Sequence, residues 1–235
     1  VLKAVYVRTV RALAIPLRVT GVLDRLQQAP RGSLRFWLGS QFAIYDAVQL
    51  ARMDVPWWTF PAIVQVERWI ADRGGDVRVF EYGAGASTAW LARRCRHVVS
   101  VEHDADFFRA AVPLLARDNV ELRLVEPQRG VAVPAAPSGR RGYEDCDFSA
   151  YVDAIGDDRY DLIVVDGRAR TACFERARER LAPGGLIVFD NSERSRYAPA
   201  LRDPRNRTQR YHGWAPALPF RSETSLIHLP QESRE

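Results

Sequence analysis

The chain has 235 residues, 47% hydrophobic and 27% charged, with a formal net charge of +5 and a pI near 9.4. That length holds one domain with an appendage and a sizeable core, and the ordinary apolar content excludes a disordered chain. No run is long enough for a membrane-spanning helix, and Cys95, Cys146 and Cys173 make no metal or disulfide pattern, so a reducing cytoplasm is expected.

The positive balance would suit an acidic substrate, nucleic acid or an anionic membrane. Diffuse surface charge explains it as well, and nucleic acid is not expected as a partner. Residues 1–19 are apolar with Lys3, Arg8, Arg11 and Arg18 interspersed. They read as an amphipathic helix packed on its own domain or on a dimer mate, with contact to a membrane surface as the alternative. They are too charged for a signal-peptide core. Residues 1–75 are expected to be mostly helical, broken at Pro30–Gly32 and at Val55–Pro56. Pro56, Trp57 and Trp58 form an aromatic cluster that either walls a pocket or fills the core. In 59–71, Ile63, Val66, Trp69 and Ile70 recur at helical spacing.

From residue 76 strands and helices alternate. Strand 77–81 ends at Glu81 and breaks into Gly83-Ala84-Gly85, after which a helix starts with Ser87 or Thr88 as its cap. Glycines there let the backbone turn sharply and approach a ligand, and a helix N-terminus offers unpaired N–H groups. Strand 97–102 ends at Glu102, 21 residues after Glu81. An acidic group at that spacing is placed to accept hydrogen bonds from both hydroxyls of a ribose. A dinucleotide fingerprint fails because Thr88 stands where the third glycine belongs, and a P-loop fails because Lys3 is the only lysine. Helix 104–117, strand 120–125, a Pro-, Gly- and Arg-rich loop over 127–147, helix 148–155, strand 161–165, helix 170–181 and strand 185–190 follow. Leu162–Val165 and Leu186–Phe189 are continuous apolar runs, as central strands buried on both faces require. This alternation predicts a mostly parallel sheet with helices on both faces. The segment after Asn191 is polar to Arg210, and residues 214–230 end in a strand over 224–229.

Glu-x-Gly-x-Gly-x-Ser, VVSVEHD, DLIVVDGRAR and LAPGGLIVFDNSER, in that order, resemble the strand-end motifs of class I S-adenosylmethionine-dependent methyltransferases. The resemblance runs from Pro56 to Leu229. It implies a Rossmann-like sheet with a terminal antiparallel hairpin, formed by residues 56–235 behind a helical extension over 1–55. It also implies S-adenosylmethionine as cofactor. Glu81 would hold its amino group, the backbone of Gly83, Ala84 and Gly85 would line its methionine end, and Tyr82, Ser87 and Thr88 are further cofactor-binding candidates. Glu102 would bridge the ribose, and His103 and Asp104 would lie beside the adenosine. Tyr143, Asp145, Cys146 and Asp147, in the loop that covers the adenine in this family, are further candidates, as is Asp166.

Asp166 and Asp190-Asn191, each at the end of a buried strand, form a hard oxygen set suited to Mg²⁺. They resemble the metal ligands of catechol, caffeoyl-CoA and macrolide sugar O-methyltransferases, although the same residues also serve as helix caps and loop closers. A cation there would lower the pKa of a substrate hydroxyl and aim its oxygen at the sulfonium methyl. The lysine base of the catechol type is replaced by Ala169. Asp166 and His212 are the catalytic candidates, with His103 and Glu193 as other bases. The function expected is methyl transfer to a hydroxyl of a small molecule such as a sugar, polyketide, phenol or lipid-linked acceptor. The alternatives are an RNA or protein methyltransferase and a non-catalytic nucleoside-binding module. Against base methylation, no Pro-Pro-aromatic loop follows the fourth strand, and no cysteine sits in a Pro-Cys context.

Overall fold

The computed structural model describes residues 2–44 and 46–230, and of residues 2–8 and 11 the backbone alone. The side chains of Lys3, Arg8 and Arg11 therefore lie outside the described residues. Helix α1 spans Leu2–Val19, α2 Val22–Gln27, α3 Leu34–Ser40 and α4 Ala47–Arg52. Ser33 caps α3 by accepting from the Phe36 N–H, and Asp46 caps α4 by accepting from Gln49. The two chain breaks expected from the proline sites fall between α2 and α3 and between α4 and α5, which spans Phe60–Ala71.

The alternating part follows as β1 (Arg78–Tyr82), α6 (Ala86–Ala92), β2 (His97–Glu102), α7 (Ala105–Leu115), β3 (Val120–Leu124), α8 (Ser149–Asp153), β4 (Tyr160–Val165), α9 (Arg170–Arg180) and β5 (Leu181–Asp190). Short α10 (Ala198–Leu201) precedes β6 (Arg207–Trp214) and β7 (Arg221–His228). The strands form one sheet in the order β3-β2-β1-β4-β5-β7-β6. The first five are parallel, and β7 runs antiparallel to both β5 and β6. The direction of chain order reverses between β1 and β4. At such a switch point the strand ends splay apart and leave a crevice.

Period-two alternation divides the core. Val79, Val98, Val164 and Val188 face α5, α6 and the N-terminal helices, whereas Phe80, Val99, Val165 and Phe189 face α8 and α9. Phe36, Ile44, Leu50 and Val55 belong to the first of these layers, so the segment before residue 56 shares the core of the sheet. Trp58 and Trp90 are fully buried there, edge to face at 5.8 Å. Truncating either to alanine would cost about 3–5 kcal/mol. The same segment is also stitched to the β6–β7 connection. Trp37 Nε1 donates to the Leu218 carbonyl at 3.0 Å, Ser40 Oγ accepts from the Ala217 N–H at 2.9 Å, and Trp37 packs on Trp214 at 4.4 Å.

Three element boundaries differ from the expectation. Helix α6 begins at Ala86 with Gly85 as its cap, because the Thr88 hydroxyl reaches back to accept the Gly85 N–H at 2.9 Å. Strand β5 starts at Leu181, directly after α9, since Leu181 already pairs with Tyr160 before the register shift. The polar segment to Arg210 hides the start of β6. That strand lies at the sheet edge, where charged side chains are the norm.

Candidate functional site

The turns after β1 and β4 press on each other. Gly83 has φ +102°, and a Cβ on it would come within 2.9 Å of Gly167 Cα. A Cβ on Gly167 would overlap the Tyr151 hydroxyl beneath it. Both positions thus exclude side chains, and the contact brings the backbone of Gly83 against that of Asp166-Gly167. Beside this joint lies a cavity of about 560 Å³.

Its walls come from the carboxyl ends of four strands. Gly83, Ala84, Gly85, Ala86 and Ser87 follow β1, and Glu102, His103 and Asp104 close β2. Asp166, Gly167, Arg168 and Arg170 follow β4, and Asp190, Asn191, Glu193 and Arg194 come from β5 and beyond. Ala47, Leu50, Trp57, Leu218 and Phe220 add an apolar side.

Glu102 is 5% exposed. Its Oε1 accepts the backbone N–H groups of His103 at 2.7 Å and Asp104 at 2.9 Å, with His103 Nδ1 at 2.5 Å. Oε2 has no donor among the described residues. Asp104 caps α7 by accepting from Asp106 and Phe107. His103 packs near Tyr143 at 5.8 Å and Phe148 at 5.7 Å, so the 127–147 loop does bring an aromatic ring to the β2 end.

Glu81 lies beneath the cavity rather than on its wall. Its Oε2 accepts from Thr88 Oγ1 at 2.5 Å and Ser100 Oγ at 2.9 Å, while Oε1 is buried with no partner. Burial pushes this carboxyl up to about 7, against the pull of its hydrogen bonds. Thr88 is likewise occupied with Glu81 and Gly85. Tyr82 points to the opposite sheet face, where its hydroxyl donates to the Val152 carbonyl at 2.7 Å.

At the β4–β5 end, Asp166 and Asp190-Asn191 converge as the spacing implies, but around a guanidinium. Arg170 is 7% exposed. Its Nη2 donates to Asp166 Oδ1 at 2.6 Å and to the Asp166 carbonyl at 2.7 Å, and its Nε donates to the Gly167 carbonyl at 3.1 Å. Nη1 donates to the Asp190 carbonyl and to Asn191 Oδ1 at 3.3 Å, and stands 3.9 Å from Asp190 Oδ2. Burial opposes the charge of Arg170, yet Asp166 and Asp190 hold its pKa above the ordinary value. Asp190 Oδ1 accepts from Thr224 at 2.8 Å; burial, then Asp166, raise its pKa. Among the described residues no group of three or more His, Cys, Asp or Glu is disposed to hold a metal ion. Asp166, Asp190 and Asn191 do not fit a divalent ion, because the space between them is taken by Arg170.

Five further expected residues, Tyr143, Asp145, Cys146, Asp147 and His212, lie off the cavity wall. Asp147 closes its own loop, accepting from the N–H groups of Ala135, Ala136 and Ser149; the Ser149 side chain, then these N–H groups, hold its carboxyl down to about 2. His212 is exposed on the edge strand β6, opposite Glu223. Arg194, Leu218 and Phe220 also line the wall and stand in no sequence motif. Arg170 stands four residues after Asp166, across the short turn that joins β4 to α9, and pairs with it there.

Residues 80–192 match the model of a family described as a methyltransferase domain. Among solved structures, an O-methyltransferase from Bacillus cereus in complex with S-adenosylhomocysteine is 18% identical, with a TM-score of 0.54 over 88% of this chain and 96% of that one. The O-methyltransferase TomG from Streptomyces achromogenes, involved in tomaymycin synthesis and solved with S-adenosylmethionine, is also 18% identical, with a TM-score of 0.50 over 80% of this chain and 89% of its own. At this identity both likenesses speak to the fold. No curated protein matches the chain.

Proposed function

We propose that this chain, an S-adenosylmethionine-dependent methyltransferase of class I, moves the methyl group onto a hydroxyl of a small molecule held in the cavity at the strand ends. The observation that carries the reading is Glu102, whose Oε1 is fixed by two backbone N–H groups while Oε2 is left for a ligand at the cavity wall. Two ribose hydroxyls match that vacancy chemically. The Oε1 of Glu81, buried beneath this wall, also lacks a donor. When bound, the cofactor supplies an electrophilic methyl on a sulfonium.

The acceptor would lie toward the β4–β5 end, between the carboxylate of Asp190 and the apolar side made by Leu50, Trp57, Leu218 and Phe220. Asp190 would take the hydroxyl proton as the acceptor oxygen forms its bond to the methyl carbon and the carbon–sulfur bond breaks, leaving a neutral thioether. Asp190 replaces His212 in that role because it is at the cavity wall and His212 is not. The partly apolar wall suits a small acceptor, and both solved structures described above are O-methyltransferases.

The test has two stages. S-adenosylhomocysteine should raise the melting temperature of the wild type, and an unchanged melt at saturating ligand would overturn the reading. A screen of hydroxylated acceptors with label in the cofactor methyl should then give a labelled ether; label appearing only in RNA or protein would overturn the small-molecule assignment.

A further inference from the structure

We propose that Arg170 is the resident cation of the β4–β5 end, standing where Asp166, Asp190 and Asn191 would otherwise hold a divalent ion. A guanidinium carries five N–H donors in a fixed plane and keeps its charge at any working pH. Here all five positions are spoken for: one meets the Gly167 carbonyl, two meet Asp166, and two meet Asp190 and Asn191. The fork therefore reads the ends of two adjacent strands at once.

Those acceptors include the oxygens a hard cation would need. Mg²⁺ requires oxygen ligands at about 2.0–2.1 Å in near-octahedral geometry. Asp166 Oδ1 and Asn191 Oδ1 are instead turned onto nitrogen at 2.6 and 3.3 Å. An added ion would also sit against a buried positive charge with little solvent to screen it. The chain supplies this cation from within, since Arg170 opens α9 and reaches back across the turn after β4 to Asp166, four residues earlier.

Arg170 is a positioning residue. It holds the Asp166 carboxylate and the Asp190-Asn191 backbone in place, and so sets where the Asp190 carboxylate stands at the cavity wall. What it positions rests on the function proposed above; its exclusion of a metal does not.

The probe is Mn²⁺, titrated into the wild type and followed by electron paramagnetic resonance, with the melting shift caused by S-adenosylhomocysteine recorded alongside. Wild type should bind no stoichiometric Mn²⁺, and any methyl transfer should be unchanged by EDTA. Arg170→Ala should gain one Mn²⁺ site, and Asp190→Asn added to it should remove that site again. Arg170→Lys, which keeps the charge, should stay metal-free. One Mn²⁺ bound to wild type and lost in Asp190→Asn would overturn the proposal. So would a folded Arg170→Ala that binds none, because the three oxygens would then not be a latent metal set. Should Arg170→Ala fail to fold, the wild-type titration decides alone. Loss of the S-adenosylhomocysteine shift in wild type would instead count against the cofactor reading, so the two failures are distinguishable.

Discussion

The two ends of the cavity handle buried carboxylates in opposite ways. At the β1–β2 end, Glu81 and Glu102 each have one oxygen satisfied from within and one left without a protein donor. At the β4–β5 end, Asp166 and Asp190 are compensated by Arg170. A buried polar group with no partner costs free energy until something supplies one, whereas a paired group is finished when the chain folds. On the function proposed above, a ligand completes the first end at Glu102, whereas the second is complete beforehand.

The joint between the ends gives the largest expected effect. Gly167→Ala drives a Cβ into the Tyr151 hydroxyl and against the Gly83 backbone, and should destabilise the fold by about 3 kcal/mol, at the upper end of the usual overpacking cost. Tyr151→Phe in the same chain should recover part of the loss in denaturant melts. An alanine variant as stable as wild type would mean that the two turns are not locked together.

Next comes Glu81, whose carboxyl sits at about 7 in the fold against 4.5 ordinarily because of burial. Between those values the folded state holds a proton that the unfolded state has lost. Its contribution to stability is therefore present below pH 4.5 and is lost as pH rises through 7, amounting to on the order of 3 kcal/mol. Glu81→Gln should lose this dependence, gaining on wild type between pH 5 and pH 8 in the absence of ligand. Parallel stability–pH curves for the two proteins would show that Glu81 is not the strained member of this end.

Glu102→Ala should leave the fold intact and weaken S-adenosylhomocysteine by about 10- to 100-fold, the value of hydrogen bonds to a charged acceptor. Calorimetric titration checks it. Affinity within twofold of wild type would remove the ribose assignment, and with it the idea that this end waits for a nucleoside.

The same contrast explains what could be read from residues alone. The β1–β2 end is encoded locally: Glu81, Gly83, Gly85 and Glu102 stand at fixed spacings on consecutive elements, and backbone geometry follows from those residue types. Asp166, Asp190 and Asn191 were legible as a converging set for the same reason. Arg170 was not, because its role depends on where a long side chain folds back, which periodicity does not report. Tyr82 and Thr88 fell within the right motif, but strand alternation turns Tyr82 to the other face and Thr88 down onto Glu81. Strand β6 escaped because an edge strand needs no apolar run, and the N-terminal helices escaped as core because their apolar residues are scattered over short segments.

The smallest effect separates the two candidate bases. His212 has the side chain most suited to proton transfer near neutral pH, which made it attractive in a sequence. It stands exposed on β6 and is absent from the cavity wall, whereas Asp190 lines it. A base must come within hydrogen-bond reach of the proton it takes. His212→Ala should therefore leave kcat/KM for any acceptor found by the methyl screen within about twofold, a change too small for a lost proton acceptor, which costs about 100-fold or more. Asp190→Asn, measured beside it, should show that larger loss. The reverse ranking would place the acceptor against the β6–β7 hairpin and give the reaction to the outer edge of the sheet.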